Sequence, residues 1–237
     1  MNEKGAVMKT IGLIGGMSWE SSAEYYRVVN ETVKERLGGL HSARVLMYSV
    51  DFAEIEELQI AGRWNEAASV LVDAACRLER GGADLIVLCT NTMHKVADVI
   101  SAAVRIPFLH IADPTAEAIR AQGIERVGLL GTRFTMEQDF YRERLTAKHG
   151  LTAIVPDADD RAFVHRVIYD ELCLGEIKEE SRLSYRQIMA RLVERGAEGI
   201  ILGCTEITLL VQPGDAEVPL FDTTRLHAVA AVGFALR

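Results

Sequence analysis

The sequence has few prolines, five in all and none clustered, and no low-complexity stretch that would mark a linker between domains. No apolar run approaches the roughly 20 residues that a helix needs to span a bilayer, so a membrane partner is not expected. The opening MNEKGAVMKT lacks the apolar core of a signal peptide; residues 1–7 read as an N-terminal tail, with Met8 as an alternative start. Lys and Arg form no run, and the net charge is −8, which argues against nucleic acid as a partner. The four cysteines (Cys76, Cys89, Cys173, Cys204) show no CxxC spacing and no accompanying His pattern. Neither a metal site nor a disulfide framework is expected, and a reducing cytoplasm fits best. GLIGGM lacks the full GxGxxG spacing of a dinucleotide site.

What is present is an ordinary globular composition, 49% hydrophobic and 25% charged, in 237 residues, enough for one large domain or two small ones. The chain also repeats itself. KTIGLIGG (9–16) returns as RVGLLGT (126–132), RLERGGADLIVLCTN (77–91) as ARLVERGAEGIILGCTE (190–206), and RIPFLHI (105–111) as EVPLFDT (217–223). Three echoes in one order, separated by about 112 to 116 residues, suit a duplicated domain and are too widely spaced for a solenoid. Apolar periodicity predicts helices over 20–37 and 64–80, and the last segment, 224–237, also reads as a helix. Short buried strands alternating with helices imply parallel sheets covered on both faces. The expected architecture is α/β: two pseudo-symmetric, doubly wound domains with an active-site cleft between them. The first comprises 8–112 with 224–237, and the second 113–223.

In open parallel sheets, ligands bind beyond the carboxyl ends of the strands. Four tips qualify: Gly15-Gly16-Met17-Ser18, Cys89-Thr90-Asn91-Thr92, Gly131-Thr132 and Gly203-Cys204-Thr205-Glu206. Aligning the halves on their shared Gly-Ala sets Cys204 opposite Thr90 and Cys89 opposite Gly203. Strand side chains alternate, so Cys89 and Thr90 are expected to point apart, leaving Thr90 and Cys204 as the cleft-facing pair with Cys89 beside it. A cysteine at a strand-to-helix tip meets free N–H groups and a positive dipole end, which favour a thiolate able to act as base or nucleophile. The same N–H groups suit a carboxylate, and Ser18, Asn91, Thr92, Thr132, Thr135 and Thr205 add polar groups to orient it. Glu206 reads equally well as a group that tunes Cys204 or as a helix N-terminal acid. His94 reads as a capping or packing residue rather than a secondary acid, and Asp51 and Glu54 as an exposed acidic loop.

IGLIGGMSWESSAEYY, LCTNTMH, LLGT and GCTEI, in this order from about Met8 to the end, resemble the aspartate/glutamate racemase superfamily, especially its broad-specificity amino-acid racemase branch. The resemblance implies an enzyme, often a homodimer in this family, that acts on a small-molecule amino-acid substrate, uses neither pyridoxal phosphate nor any other cofactor, and racemises with two bases. By analogy Cys204 acts on the L-enantiomer. Thr90 stands where the family's first catalytic cysteine is found, so Thr90, with Cys89 as a possible helper, serves the opposite face. Met17, Ser18, Asn91, Thr92, Thr132, Thr135, Thr205 and Glu206 are the substrate-binding candidates. Ile55 and Cys173 align with an arginine and a lysine that hold dicarboxylate substrates in aspartate racemases, which favours a smaller or less acidic amino acid at least equally. Two competing readings accompany the racemase: a single-thiol decarboxylase or isomerase of the same superfamily, and an amino-acid binding protein without turnover.

Overall fold

Short apolar strands that end in glycine and amphipathic helices with one buried stripe alternate along the whole chain. The computed structural model describes residues 8–237; the expected tail, residues 1–7, lies outside the described residues. In chain order the elements are β1 (Ile11–Gly15), α1 (Trp19–Leu37), β2 (Val45–Ser49), α2 (Phe52–Ile60), α3 (Trp64–Arg80) and β3 (Leu85–Leu88). A 3-10 turn (Thr92–Val96), α4 (Ala97–Ala103), β4 (Phe108–Leu109) and α5 (Ala112–Ala121) follow. Next come β5 (Arg126–Gly131), α6 (Arg133–Glu137), α7 (Asp139–His149), β6 (Thr152–Ile154), α8 (Ala158–Asp170) and a second 3-10 turn (Leu172–Leu174). The chain ends with α9 (Glu179–Glu194), β7 (Gly199–Gly203), α10 (Ile207–Leu210), β8 (Leu220–Asp222) and α11 (Thr223–Ala235). None of the described helices is long and apolar enough to cross a membrane.

Two four-stranded sheets result, ordered β2-β1-β3-β4 and β6-β5-β7-β8, with every pairing parallel. The second order repeats the first, element for element, as the sequence echoes require. Contacts divide the chain into two units. One runs up to Cys89 and includes Val96–His110 and His227–Arg237; the other comprises Thr90–Lys95 and Ile111–Leu226. The tip that follows β3 thus clusters with the second unit, although β3 itself belongs to the first.

In the first unit, alternation sends Ile11, Leu13, Leu85, Val87 and Cys89 to one face, where Tyr25, Val28, Val29 and Val33 of α1 and Ala228, Ala231 and Val232 of α11 cover them. Helix α3 packs against β1, β2 and β3. Helix α1 is well specified locally: Ser18 caps it by accepting the Ser21 N–H at 3.3 Å, Glu20 sits in its first turn, and Lys34 and Arg36 sit in its last.

Alternation in the second unit separates two cores. Ile200, Leu202 and Cys204 face α8 and α9, packing with Val164, Val167, Tyr185, Ile188 and Leu192. Val127, Leu129 and Ile201 face α5 and α7, packing with Ala116, Ile119, Tyr141 and Leu145. Both faces of this sheet are therefore covered, which is why its strands read as continuous apolar runs.

Candidate active site

Glycines set up the strand tips. Gly16 has φ 93°, a conformation that costs a residue with a Cβ, and it lets the chain leave β1 sharply before Ser18 starts α1. Gly131 and Gly203 pair in register at the ends of β5 and β7; a Cβ on Gly203 would lie 2.7 Å from the Leu130 carbonyl oxygen and one on Gly131 2.9 Å from the Gly203 carbonyl oxygen. Bare backbone at both positions brings the Thr132 and Cys204 tips close to the sheet.

In the first unit, Met17 and Ser18 are buried at the β1 tip. The Ser22 hydroxyl donates to the Ser18 carbonyl at 2.9 Å and accepts the Gly16 N–H at 2.7 Å, while Ser21 donates to the Cys89 carbonyl at 3.2 Å. Cys89 has no exposed surface and lies among the apolar residues between the sheet and α1. Its thiol points at the Val87 carbonyl at 3.8 Å, and burial pushes its pKa well above the usual thiol range. The sequence allows Cys89 to stand beside the reacting pair; its sulfur occupies the core instead.

The other candidates share the second unit. Thr92 and Thr132 hydroxyls meet at 2.9 Å, and Thr132 caps α6 by accepting the Thr135 N–H at 3.3 Å. Asn91 donates from its side-chain nitrogen to the Thr223 hydroxyl at 3.1 Å, and Thr223 donates onward to the Leu202 carbonyl at 2.9 Å. Thr224 donates to the Thr205 hydroxyl at 3.0 Å. These bonds tie the tips after β3, β5, β7 and β8 into one polar layer. Thr223 and Thr224 do not stand out in the sequence, although the third echo, EVPLFDT, ends at Thr223 and marks it as a strand tip. The Asn91 side-chain oxygen is buried and accepts no hydrogen bond, which leaves a costly orphan that an N–H donor would satisfy.

Cys204, 9% exposed, follows the parity of Ile200 and Leu202. Its thiol donates to the Glu206 carboxylate, Sγ to Oε2 2.9 Å. Burial first, then the Glu206 carboxylate and Cys173, push the Cys204 pKa well above that of an ordinary thiol. This corrects the expectation of a thiolate favoured by a helix dipole. Helix α10 is only four residues long, ended by the VQPG turn with its Pro213, so its dipole is weak against an adjacent carboxylate. The resting group is a thiol already hydrogen-bonded to a proton acceptor. Of the two roles open to Glu206, the geometry supports a direct one toward Cys204, since Glu206 lies before α10 and its carboxylate accepts the thiol proton's hydrogen bond.

His94 is buried and bridges two backbone groups: its Nδ1 lies 2.7 Å from the Thr90 carbonyl oxygen, and the Ile111 N–H donates to its Nε2 at 3.1 Å. Thr90 is 9% exposed. Ile55 is fully buried and Cys173 half-buried. Among the described residues no group of three or more His, Cys, Asp or Glu side chains is arranged to hold a metal ion.

Comparison with known proteins matches this arrangement to one family. A solved structure from Yersinia pestis, described as a candidate Asp/Glu racemase, is 60% identical, covers 97% of this chain and 100% of its own, and superposes with a TM-score of 0.91. An aspartate racemase homologue from Pyrococcus horikoshii is 36% identical over 97% of this chain and 100% of its own, with a TM-score of 0.84. The broad specificity amino-acid racemase RacX of Bacillus subtilis is 24% identical over 229 residues, 94% of this chain and 96% of its own length. Residues 14–231 match the family model, and the chain belongs to the Asp/Glu/Hydantoin racemase family.

Proposed function

We propose that the protein is a cofactor-independent amino-acid racemase in which Cys204 acts on the L-enantiomer and Thr90 serves the opposite face of the α-carbon. The observation that carries the reading is the buried Cys204–Glu206 hydrogen bond. A thiol is a poor base, and its proton must leave before it can remove another. Glu206 accepts that proton, and the thiolate formed then takes the α-proton of the L-amino acid. An incoming ammonium group adds positive charge, which favours the thiolate that burial and Glu206 disfavour. The unsatisfied Asn91 oxygen suits that ammonium as an acceptor, and the Thr92, Thr132, Thr135 and Thr205 groups suit the carboxylate.

After deprotonation, the Thr90 hydroxyl gives a proton to the opposite face, yielding the D-enantiomer; its alkoxide then regains a proton from water while Glu206 releases to water the proton it took, restoring the resting pair. An alcohol is a much weaker acid than a thiol, whose ordinary pKa is about 8.5, so this is the slow half. The equilibrium constant between free enantiomers is one, so kcat/KM for net conversion must be equal in both directions. The asymmetry therefore belongs to isotope exchange. In deuterium oxide, L-substrate should lose its α-proton faster than it inverts, because Cys204 can return a solvent deuteron to the same face. D-substrate should exchange only as fast as Thr90 allows. Proton NMR with L- and D-forms of acidic, polar and aliphatic amino acids measures both rates. Equal exchange from the two enantiomers would contradict the assignment of faces. Absence of exchange across the panel would instead favour the single-thiol decarboxylase or isomerase, which the lack of a second thiol at Thr90 supports.

A further inference from the structure

The Thr90 hydroxyl makes no hydrogen bond among the described residues, so its aim is set by its backbone. That backbone is clamped by His94. The Ile111 N–H can only donate and the Thr90 carbonyl can only accept, so the ring is neutral, with its proton on Nδ1 and its lone pair on Nε2. The clamp is anchored at both ends. Thr115 donates to the Ile111 carbonyl at 2.9 Å, and the His94 N–H donates to the Asn91 carbonyl at 3.1 Å within the 3-10 turn. A single buried ring thereby fixes the Thr90–Asn91 peptide plane against the start of α5.

We infer that His94 is the positioning residue of the proton-returning face, aiming Thr90 by holding its carbonyl. The inference rests on the proposed reading of Thr90 as the proton donor. Two amide substitutions divide the ring's two bonds. In His94→Asn the shorter side chain sets an amide nitrogen near the Nδ1 position and keeps the donor to Thr90. In His94→Gln the longer one sets its carbonyl near the Nε2 position and keeps the acceptor for Ile111. Each leaves one buried group without its partner, so their thermal midpoints form a matched control for stability.

The readout is the ratio of inversion to exchange with retention in deuterium oxide, using whichever of L-aspartate, L-glutamate, L-serine and L-methionine the wild type turns over fastest. We expect His94→Gln to lower inversion by about ten- to a hundredfold while α-proton exchange through Cys204 persists. His94→Asn should restore most of the inversion, and His94→Gln added to Thr90→Ala should cost nothing beyond Thr90→Ala. General loosening of the fold would lower inversion and retention together, and that result overturns the inference. Thr90→Ala impairing inversion while His94→Gln leaves the ratio intact overturns the role of His94 alone. A Thr90→Ala enzyme that inverts at the wild-type ratio overturns the reading of Thr90 and the inference with it. No exchange by the wild type on any of the four overturns both through the racemase assignment itself.

Discussion

At the scale of single residues, the central fact is a thiol held neutral beside the group that would take its proton. Replacing Glu206 with Gln removes the carboxylate that opposes the thiolate, although burial continues to raise the Cys204 pKa. The pH profile for alkylation of Cys204 by iodoacetamide should therefore move to lower pH. Turnover should fall roughly a hundredfold because the proton acceptor is lost. An unmoved alkylation profile would contradict direct coupling of the two groups. In the sequence the internal repeat aligns Cys204 with Thr90, and strand parity separates Thr90 from Cys89. The sign of the Cys204 shift is not legible there. It depends on a rotamer that turns Glu206 back toward the sulfur and on the shortness of α10, and neither shows in a spacing. The role of His94 is hidden for a similar reason. Its partners are backbone atoms, and Ile111 lies beyond α4 and β4.

Among the elements, the long helices are the most readable: 20–37 and 64–80 correspond to α1 and α3, and 224–237 to α11. Their lengths run to several turns, and in α1 the Ser18 cap reinforces the start. The segment after Thr90 reads as the opening of a helix. It forms a 3-10 turn before α4, because His94 is drawn back to the Thr90 carbonyl. Long-range ion pairs between elements leave no sequence trace. Asp113 at the start of α5 accepts from Arg144, Lys148 and His149 of α7, at 2.7, 2.8 and 2.9 Å. Partial burial raises the Asp113 pKa, but hydrogen bonds from these three side chains outweigh it and hold the carboxyl below the ordinary value of 3.8. A depressed folded-state pKa gives stability that is complete above 3.8 and lost as pH falls through the folded-state value. Asp113→Asn should thus cost about 2 kcal/mol in urea denaturation at neutral pH. The deficit should shrink as acid protonates the wild-type carboxyl. A pH-independent deficit would show that packing, not charge, links α5 to α7.

For the molecule as a whole, duplication explains both what is symmetric and what is not. Two sheets with one strand order present equivalent tips, and the three sequence echoes already mark which tips correspond. The halves differ at corresponding tips: Thr90 stands in one repeat, Cys204 with Glu206 in the other. Under the proposed mechanism, a thiol on one face and an alcohol on the other leave the equilibrium constant between free enantiomers at one and differ only in how fast each face exchanges its proton. The most direct test is proton NMR in deuterium oxide of the wild type and Cys204→Ala with a panel of L- and D-amino acids. Loss of the α-proton signal from an L-substrate should accompany appearance of the D-enantiomer, and both should be abolished in Cys204→Ala. Exchange and inversion that survive the substitution would contradict it.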